Sequence, residues 1–276
     1  MRFIDRAAIV TGASMGIGAS VTRELAQRGA RVFAFARSED KLQKLAEENP
    51  RIIPVVGDVT VAEDRARLLE TAGEVDILIN NAGLASFGNV AEQAPAEIQH
   101  MFDVNVLALI DMTQRVLPGM LHRKNGHICN VGSVISHVAT PQMTVYASTK
   151  FAVEGFSDGL RRELAGTGVN VSLIQPGPVA TAFWDRGARG DRPDVAEGGN
   201  GIPAQWVSNA IVRAIRFDRV PGYATVGVPR ALGVARVLDV PGVSYALDLV
   251  AGVIQLPGTK SERKDAPVIP LHRDTK

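Results

Sequence analysis

The chain has a single cysteine, Cys129, among 276 residues. One thiol excludes an intramolecular disulfide and any cysteine-rich metal site. It fits a reducing compartment, and the expected location is cytoplasmic. Charge of one sign is also missing, because the net charge is only +1. That balance offers no electrostatic footprint for nucleic acid, and none is expected as a partner. The five histidines, His100, His122, His127, His137 and His272, have no metal-ligand spacing, so no metal is expected. Long apolar runs are absent. No uncharged stretch approaches the ~20 residues a membrane helix needs. The nearest, 240–253, is broken by Pro241, Asp248 and two glycines. The first residues carry Arg2, Asp5 and Arg6 before a short apolar run, and no secretory leader is expected there.

What remains is a globular balance of 46% hydrophobic and 21% charged residues. A chain of this size can bury a sizeable core without staples. Short apolar runs alternate with helical patterns. Strands are predicted at Ala7–Val10, Arg31–Ala36, Ile52–Val56, Asp76–Ile79, His127–Val131 and Asn170–Ile174, with another near Tyr223–Val226. Helices are predicted at Ala19–Gln27, Glu39–Glu48, Ala62–Ala72, Val145–Ala165 and Ala204–Arg216. A long helix is predicted over Pro95–Leu121, bent or ended late by Pro118. Strands apolar on both faces and separated by helices indicate a parallel sheet covered on both sides. The expected class is α/β: a Rossmann-like, doubly wound parallel sheet of about seven strands, with a short helical C-terminal extension. One domain over 1–258 is expected, then a polar tail over 259–276. Within that domain, 177–203 reads as a long irregular loop, and such loops are usually functional. The segment 229–256 reads as an apolar extension.

Thr11–Gly18 (TGASMGIG) lies between the first strand and first helix. Gly12, Gly16 and Gly18 allow a sharp turn and the close approach of a pyrophosphate to the helix start. Ser14 adds a hydroxyl. The second strand ends at Arg37 with no carboxylate at its tip. An acid there would bind the ribose of NAD, whereas an arginine suits a 2′-phosphate. The alternative is a solvated surface arginine. Asp58 and Val59 follow the third strand, where an adenine would lie, and Asn80–Gly83 (NNAG) follow the fourth.

Tyr146 and Lys150 form an i, i+4 pair at a helix start. A nearby ammonium lowers a phenol's pKa and lets it exchange protons near neutrality. Alone, such a pair is common. Ser133 stands thirteen residues earlier and Asn105 lies in the preceding long helix. Together, the glycine turn, NNAG, Asn105, Ser133, Tyr146-x-x-x-Lys150 and the segment Pro176-Gly177-Pro178-Val179-x-Thr181 resemble the short-chain dehydrogenase/reductase family, over about residues 5–226.

The resemblance implies an oxidoreductase acting on a CH–OH group with NAD(P), without a metal. It implies that Tyr146 is the general acid or base and that Ser133 positions the substrate oxygen. Lys150 would hold the nicotinamide ribose and depress the Tyr146 pKa, and Asn105 would hold a relay water. Cofactor contacts are expected from Gly12, Ser14, Met15, Gly16, Ile17, Gly18, Arg37, Asp58, Val59, Asn81, Ala82, Gly83, Tyr146, Lys150, Pro176, Gly177, Val179 and Thr181. Met15 departs from the pattern, since NADP-preferring members often carry a base there; NADP(H) preference then rests on Arg37. The stretch after 229 also extends beyond the shortest members.

His137, Met143, Phe183 and Trp184 are candidate substrate contacts. The leading reading is an NADPH-dependent carbonyl reductase with a hydrophobic small-molecule substrate. Alternatives are an NAD-dependent alcohol or hydroxysteroid dehydrogenase and a nucleotide-binding sensor without turnover. The resemblance implies a homodimer or homotetramer built on the helices around 95–121 and 145–165. Peripheral membrane contact through 229–256 ranks behind a core or pocket role, because basic residues are few there.

Overall fold

Parallel neighbours need a crossover between them, and the chain supplies helix after strand throughout. A computed structural model describes residues 1–181, 183 and 201–217, and the backbone of 225–228. Trp184, most of the 177–203 loop, the 229–256 segment and the 259–276 tail lie outside the described residues. The strands are β1 (Ala7–Thr11), β2 (Arg31–Ala36), β3 (Ile52–Val56), β4 (Ile77–Asn80), β5 (Gly126–Val131), β6 (Val169–Pro176) and β7 (Thr225–Val228). They form one sheet in the order β3-β2-β1-β4-β5-β6-β7, with every pairing parallel. The helices are α1 (Gly16–Gln27), α2 (Glu39–Glu47), α3 (Ala62–Ala72), α4 (Pro95–Phe102), α5 (Ala108–His122), α6 (Thr144–Glu163) and α7 (Ala204–Arg216). This is the Rossmann-like α/β fold read from the sequence.

The strand period of two sorts the core into two layers. Ala8, Val10, Val32, Ala34, Ile77 and Ile79 face α1, α2 and α7, whose Val21, Leu25, Leu42, Ile211 and Ile215 are buried against them. The alternating residues Ala7, Ile9, Phe33, Phe35, Leu78 and Ile128 face Leu68 of α3, Met112 and Met120 of α5 and Leu160 of α6. Each fully buried side chain of this size contributes about 1.5–3 kcal/mol. Cys129 is fully buried in β5, where burial pushes its thiol pKa up and leaves it a packing residue.

The long helix predicted over 95–121 is interrupted. A π-helical turn, Asp103–Leu107, separates α4 from α5 and carries Asn105. Pro118 neither ends nor visibly divides α5, which continues to His122. The seventh strand lies two residues later than predicted, its register set by pairing Leu173–Pro176 with Thr225–Val228. Helix α1 begins at Gly16 rather than Ala19, inside the glycine turn. Among the described residues no helix is long and apolar enough to cross a membrane.

Candidate active site

Strand order reverses where β1 meets β4, with β2 on the other side of β1. Crossovers leave in opposite directions there, and a crevice opens beyond the strand ends. A cleft of about 540 Å³ occupies this position.

The glycine turn forms one wall. Gly12 (φ 65°) and Gly16 (φ 55°) hold left-handed conformations that disfavour a side chain. A Cβ on Gly18 would collide with the Gly12 carbonyl oxygen and lie 2.7 Å from Asn81 Nδ2. Gly18 therefore serves packing and does not line the cleft. The Asn81 amide is likewise committed to structure, donating to the carbonyls of Thr11 (2.9 Å) and Gly12 (3.2 Å). Thr11 Oγ1 completes the stitch by accepting from the N–H groups of Asn81 and Ala82, both at 3.0 Å. Helix α1 has Met15 as its N-cap, no side-chain cap and no acidic residue in its first turn. Its first turn thus offers the cleft free backbone N–H groups and no acidic side chain of its own. Thr181 closes over this turn, since a Cβ on Gly16 would lie 3.1 Å from its Cγ2.

At one end of the cleft are Arg37, Asp58 and Val59. Arg37 Nη1 lies 3.6 Å from Asp58 Oδ2, and its side chain is 66% exposed. Burial alone would raise the Asp58 carboxyl. The N–H and hydroxyl of Thr60, with the charges of Arg37 and His100, hold it below its ordinary value. At the other end are Ser133, Tyr146 and Lys150, with Pro176, Gly177, Val179 and Phe183 opposite. Ser133 caps a short 3₁₀ turn, Val134–Ser136, with Oγ accepting from the Ile135 N–H at 3.3 Å. Its side chain shares a hydrogen bond with that of Tyr146. The Phe183 ring is tilted against Tyr146, with centroids 6.3 Å apart.

The electrostatics differ from the sequence expectation. Lys150 Nζ lies 5.8 Å from the Tyr146 ring centroid and donates to the Val131 carbonyl at 3.0 Å. Burial dominates both groups. It pushes the Tyr146 phenol up, opposed by the Ser133 hydrogen bond, and brings Lys150 down to about 8. Tyr146 is therefore a protonated donor at neutral pH.

Asn105 is buried behind the cleft wall. Its Oδ1 accepts from the Leu84 N–H at 2.9 Å, and its Nδ2 donates to the Leu84 carbonyl (2.9 Å) and Thr149 Oγ1 (3.0 Å). A Cβ on Gly83 would lie 3.3 Å from Asn105 Oδ1 and 3.8 Å from Lys150 Nζ. Asn105 thus braces the loop after β4 against α6.

Ser14, Met15, Ile17, Ala82 and Gly83, expected from the sequence to meet the cofactor, line the cleft. His137 and Met143 do not line it. His137 is buried with Nδ1 3.7 Å from Glu154 Oε2, and Met143 packs with Phe87 and Ile135 behind Tyr146. Sequence reading missed Leu84, Ser86, Glu97, His100 and Val104, all of which line the cleft. The spacing of Glu97, His100 and Val104 marks one helical face, but not which wall that face meets.

The family model described as short chain dehydrogenase matches residues 6–190. An uncharacterized oxidoreductase of Staphylococcus saprophyticus is 36% identical over 207 residues, covering 70% of this chain and 88% of that protein. The closed form of a serine dehydrogenase complexed with NADP+ superposes with a TM-score of 0.71 at 33% identity, over 79% of this chain and 91% of the other. A short-chain dehydrogenase/reductase from Burkholderia phymatum in complex with NAD gives a TM-score of 0.75 at 25% identity, over 86% and 93% of the two chains. With the glycine turn, Ser133, Tyr146 and Lys150 gathered on one cleft, the chain belongs to the short-chain dehydrogenase/reductase family and is an oxidoreductase.

Proposed function

We propose that this protein is a cytoplasmic carbonyl reductase that uses NADP(H) on a small apolar substrate. The observation that carries the reading is the convergence of Tyr146, Ser133 and Lys150 on the cleft that also holds the glycine turn. The uncapped start of α1 suits a pyrophosphate, and Arg37 at the far end suits a 2′-phosphate. The dinucleotide, when bound, supplies the hydride to the carbonyl carbon. Tyr146 gives its proton to the carbonyl oxygen, and Ser133 hydrogen-bonds that oxygen and holds it in reach. Burial pushes the Tyr146 phenol up and so favours its protonated form, which is the form that reduction consumes. Lys150, which spends one N–H on the Val131 carbonyl, would hold the nicotinamide ribose with the others. Pro176, Gly177, Val179 and Thr181, which line the cleft, would hold the carboxamide. Asn105 keeps Leu84 and Thr149 in register next to Lys150. Leu84 and Phe183, backed by Phe87, Ile135 and Met143, favour an apolar substrate. Exposed Leu107, Leu121 and Phe151 support a homodimer or homotetramer built on the helices around 95–121 and 145–165.

The test is NADPH consumption across ketones, hydroxysteroids and acyl thioesters. Wild type turns over, while Tyr146→Phe loses about 10²–10⁴-fold in kcat and still binds NADPH by fluorescence titration. Near-normal turnover in that variant sinks the mechanism. Silence of the wild type with NADPH bound points instead to a non-catalytic nucleotide sensor.

A further inference from the structure

Three segments carry the proposed chemistry: the loop after β5 with Ser133, helix α6 with Tyr146 and Lys150, and the end of β6 with Pro176 and Gly177. One buried side chain joins them. Gln175 Nε2 donates to Ser136 Oγ at 3.0 Å and to Glu154 Oε2 at 3.0 Å. Ser136 Oγ in turn donates to the Ser133 carbonyl at 2.7 Å. Glu154 lies one helical turn beyond Lys150 and two beyond Tyr146, on the same face of α6. Gln175 directly precedes Pro176. Gln175 and Ser136 are 2% and 1% exposed.

The direction of each bond is fixed by chemistry. A carboxylate only accepts, so the Gln175 amide must turn its nitrogen to Glu154. Ser136 has one proton and places it on Ser133, so its oxygen must accept from Gln175. The chain of donors therefore runs from Gln175 outward, to Glu154 on one side and through Ser136 to Ser133 on the other.

We propose that Glu154, Gln175 and Ser136 are positioning residues that set the reach of Ser133 toward the substrate oxygen. The inference rests on the reductase reading above. A hydroxyl that must meet a transition-state oxygen is sensitive to small displacements; a shift of about 1 Å can cost about 100-fold in rate. Hydrogen bonds between buried side chains rigidify the segments they join. Glu154 and Gln175 touch neither the cleft nor the dinucleotide site, so their effect falls on kcat and not on cofactor binding.

The experiment measures kcat, the KM for NADPH and Tm, using the ketone that wild type reduces fastest in the panel above. Gln175→Met keeps the length and removes the donor; kcat falls about 10- to 100-fold while the KM for NADPH stays within about twofold. Glu154→Gln keeps an acceptor oxygen and retains more of kcat than Glu154→Leu. The exchange pair Glu154→Gln with Gln175→Glu separates positioning from stability. It restores a donor–acceptor pair between the two positions, so Tm recovers relative to Gln175→Glu alone. A carboxylate at 175 cannot donate to Ser136, however, which must then turn its proton away from Ser133. The exchange pair therefore recovers Tm without recovering kcat. Recovery of kcat together with Tm, or full kcat in Gln175→Met, overturns the proposal. Wild-type silence across the panel overturns the reductase reading and this inference with it, and it is recognised by wild type itself being inactive.

Discussion

Removing the Arg37 guanidinium is expected to weaken NADPH binding and leave NADH binding unchanged. Arg37 directly follows β2 at the edge of the cleft, two-thirds exposed. Unit charges about 4 Å apart interact by about 1 kcal/mol in water and about 4 kcal/mol at the effective dielectric near a protein surface. The exposure of Arg37 puts it toward the lower figure. Asp58, 3.6 Å away, offsets part of the attraction, because a 2′-phosphate must share the guanidinium with a carboxylate. A loss of about 1–2 kcal/mol follows, or about 5- to 30-fold in the Kd of NADPH for Arg37→Ala. Asp58→Asn acts in the opposite sense and tightens NADPH a few-fold. Salt supports the same account, since a screened surface charge makes the wild-type and Arg37→Ala affinities converge at high ionic strength. Fluorescence titration with both cofactors at two salt concentrations reads all of this. An unchanged NADPH Kd in Arg37→Ala refutes the phosphate assignment. Equal weakening of NADPH and NADH refutes it too, and a wild type that prefers NADH favours an NAD-dependent dehydrogenase.

Two further outcomes test the turn and the buried cation. Gly18→Ala places a methyl group against the Gly12 carbonyl, which is backbone, and against the Asn81 side-chain amide, which is held by its bonds to the Thr11 and Gly12 carbonyls. A loss of about 1–3 kcal/mol is expected, with a lower Tm and weaker NADPH binding in step; an unchanged Tm contradicts the packing argument. Lys150 has its pKa lowered from 10.5 to about 8 by burial. Between those values the unfolded chain binds a proton that the folded chain does not, so Lys150 adds stability as pH rises through the window. The gain is about 2 kcal/mol by pH ~10, and Lys150→Met removes it. Tyr146 acts in the opposite direction at higher pH, so the two proteins are compared by urea unfolding between pH ~8 and ~10. Parallel stability curves for wild type and Lys150→Met would contradict the assignment.

Much of this protein was legible because its signals are local. Strand runs, the glycine turn and the Tyr146–Lys150 spacing depend on residues a few positions apart, and strands apolar on both faces announce a sheet covered twice. The sequence by itself determined the Rossmann-like α/β class, the family and the residues that line most of the cleft. Tertiary structure decided what depends on which wall a side chain meets. Asn105 stands in a π-helical turn that no periodicity marks, and its amide bonds to Leu84 and Thr149 instead of facing the cleft. His137, a candidate for the pocket from its place between Ser133 and Tyr146, packs beside Glu154. Arg37 meets Asp58 only because β2 and β3 are neighbours. Burial pushes the Tyr146 pKa up, although its spacing to Lys150 suggested a lowered one. Spacing along a chain fixes which groups are available, whereas desolvation and hydrogen-bond partners come from segments far apart in sequence, and those set what each group can do.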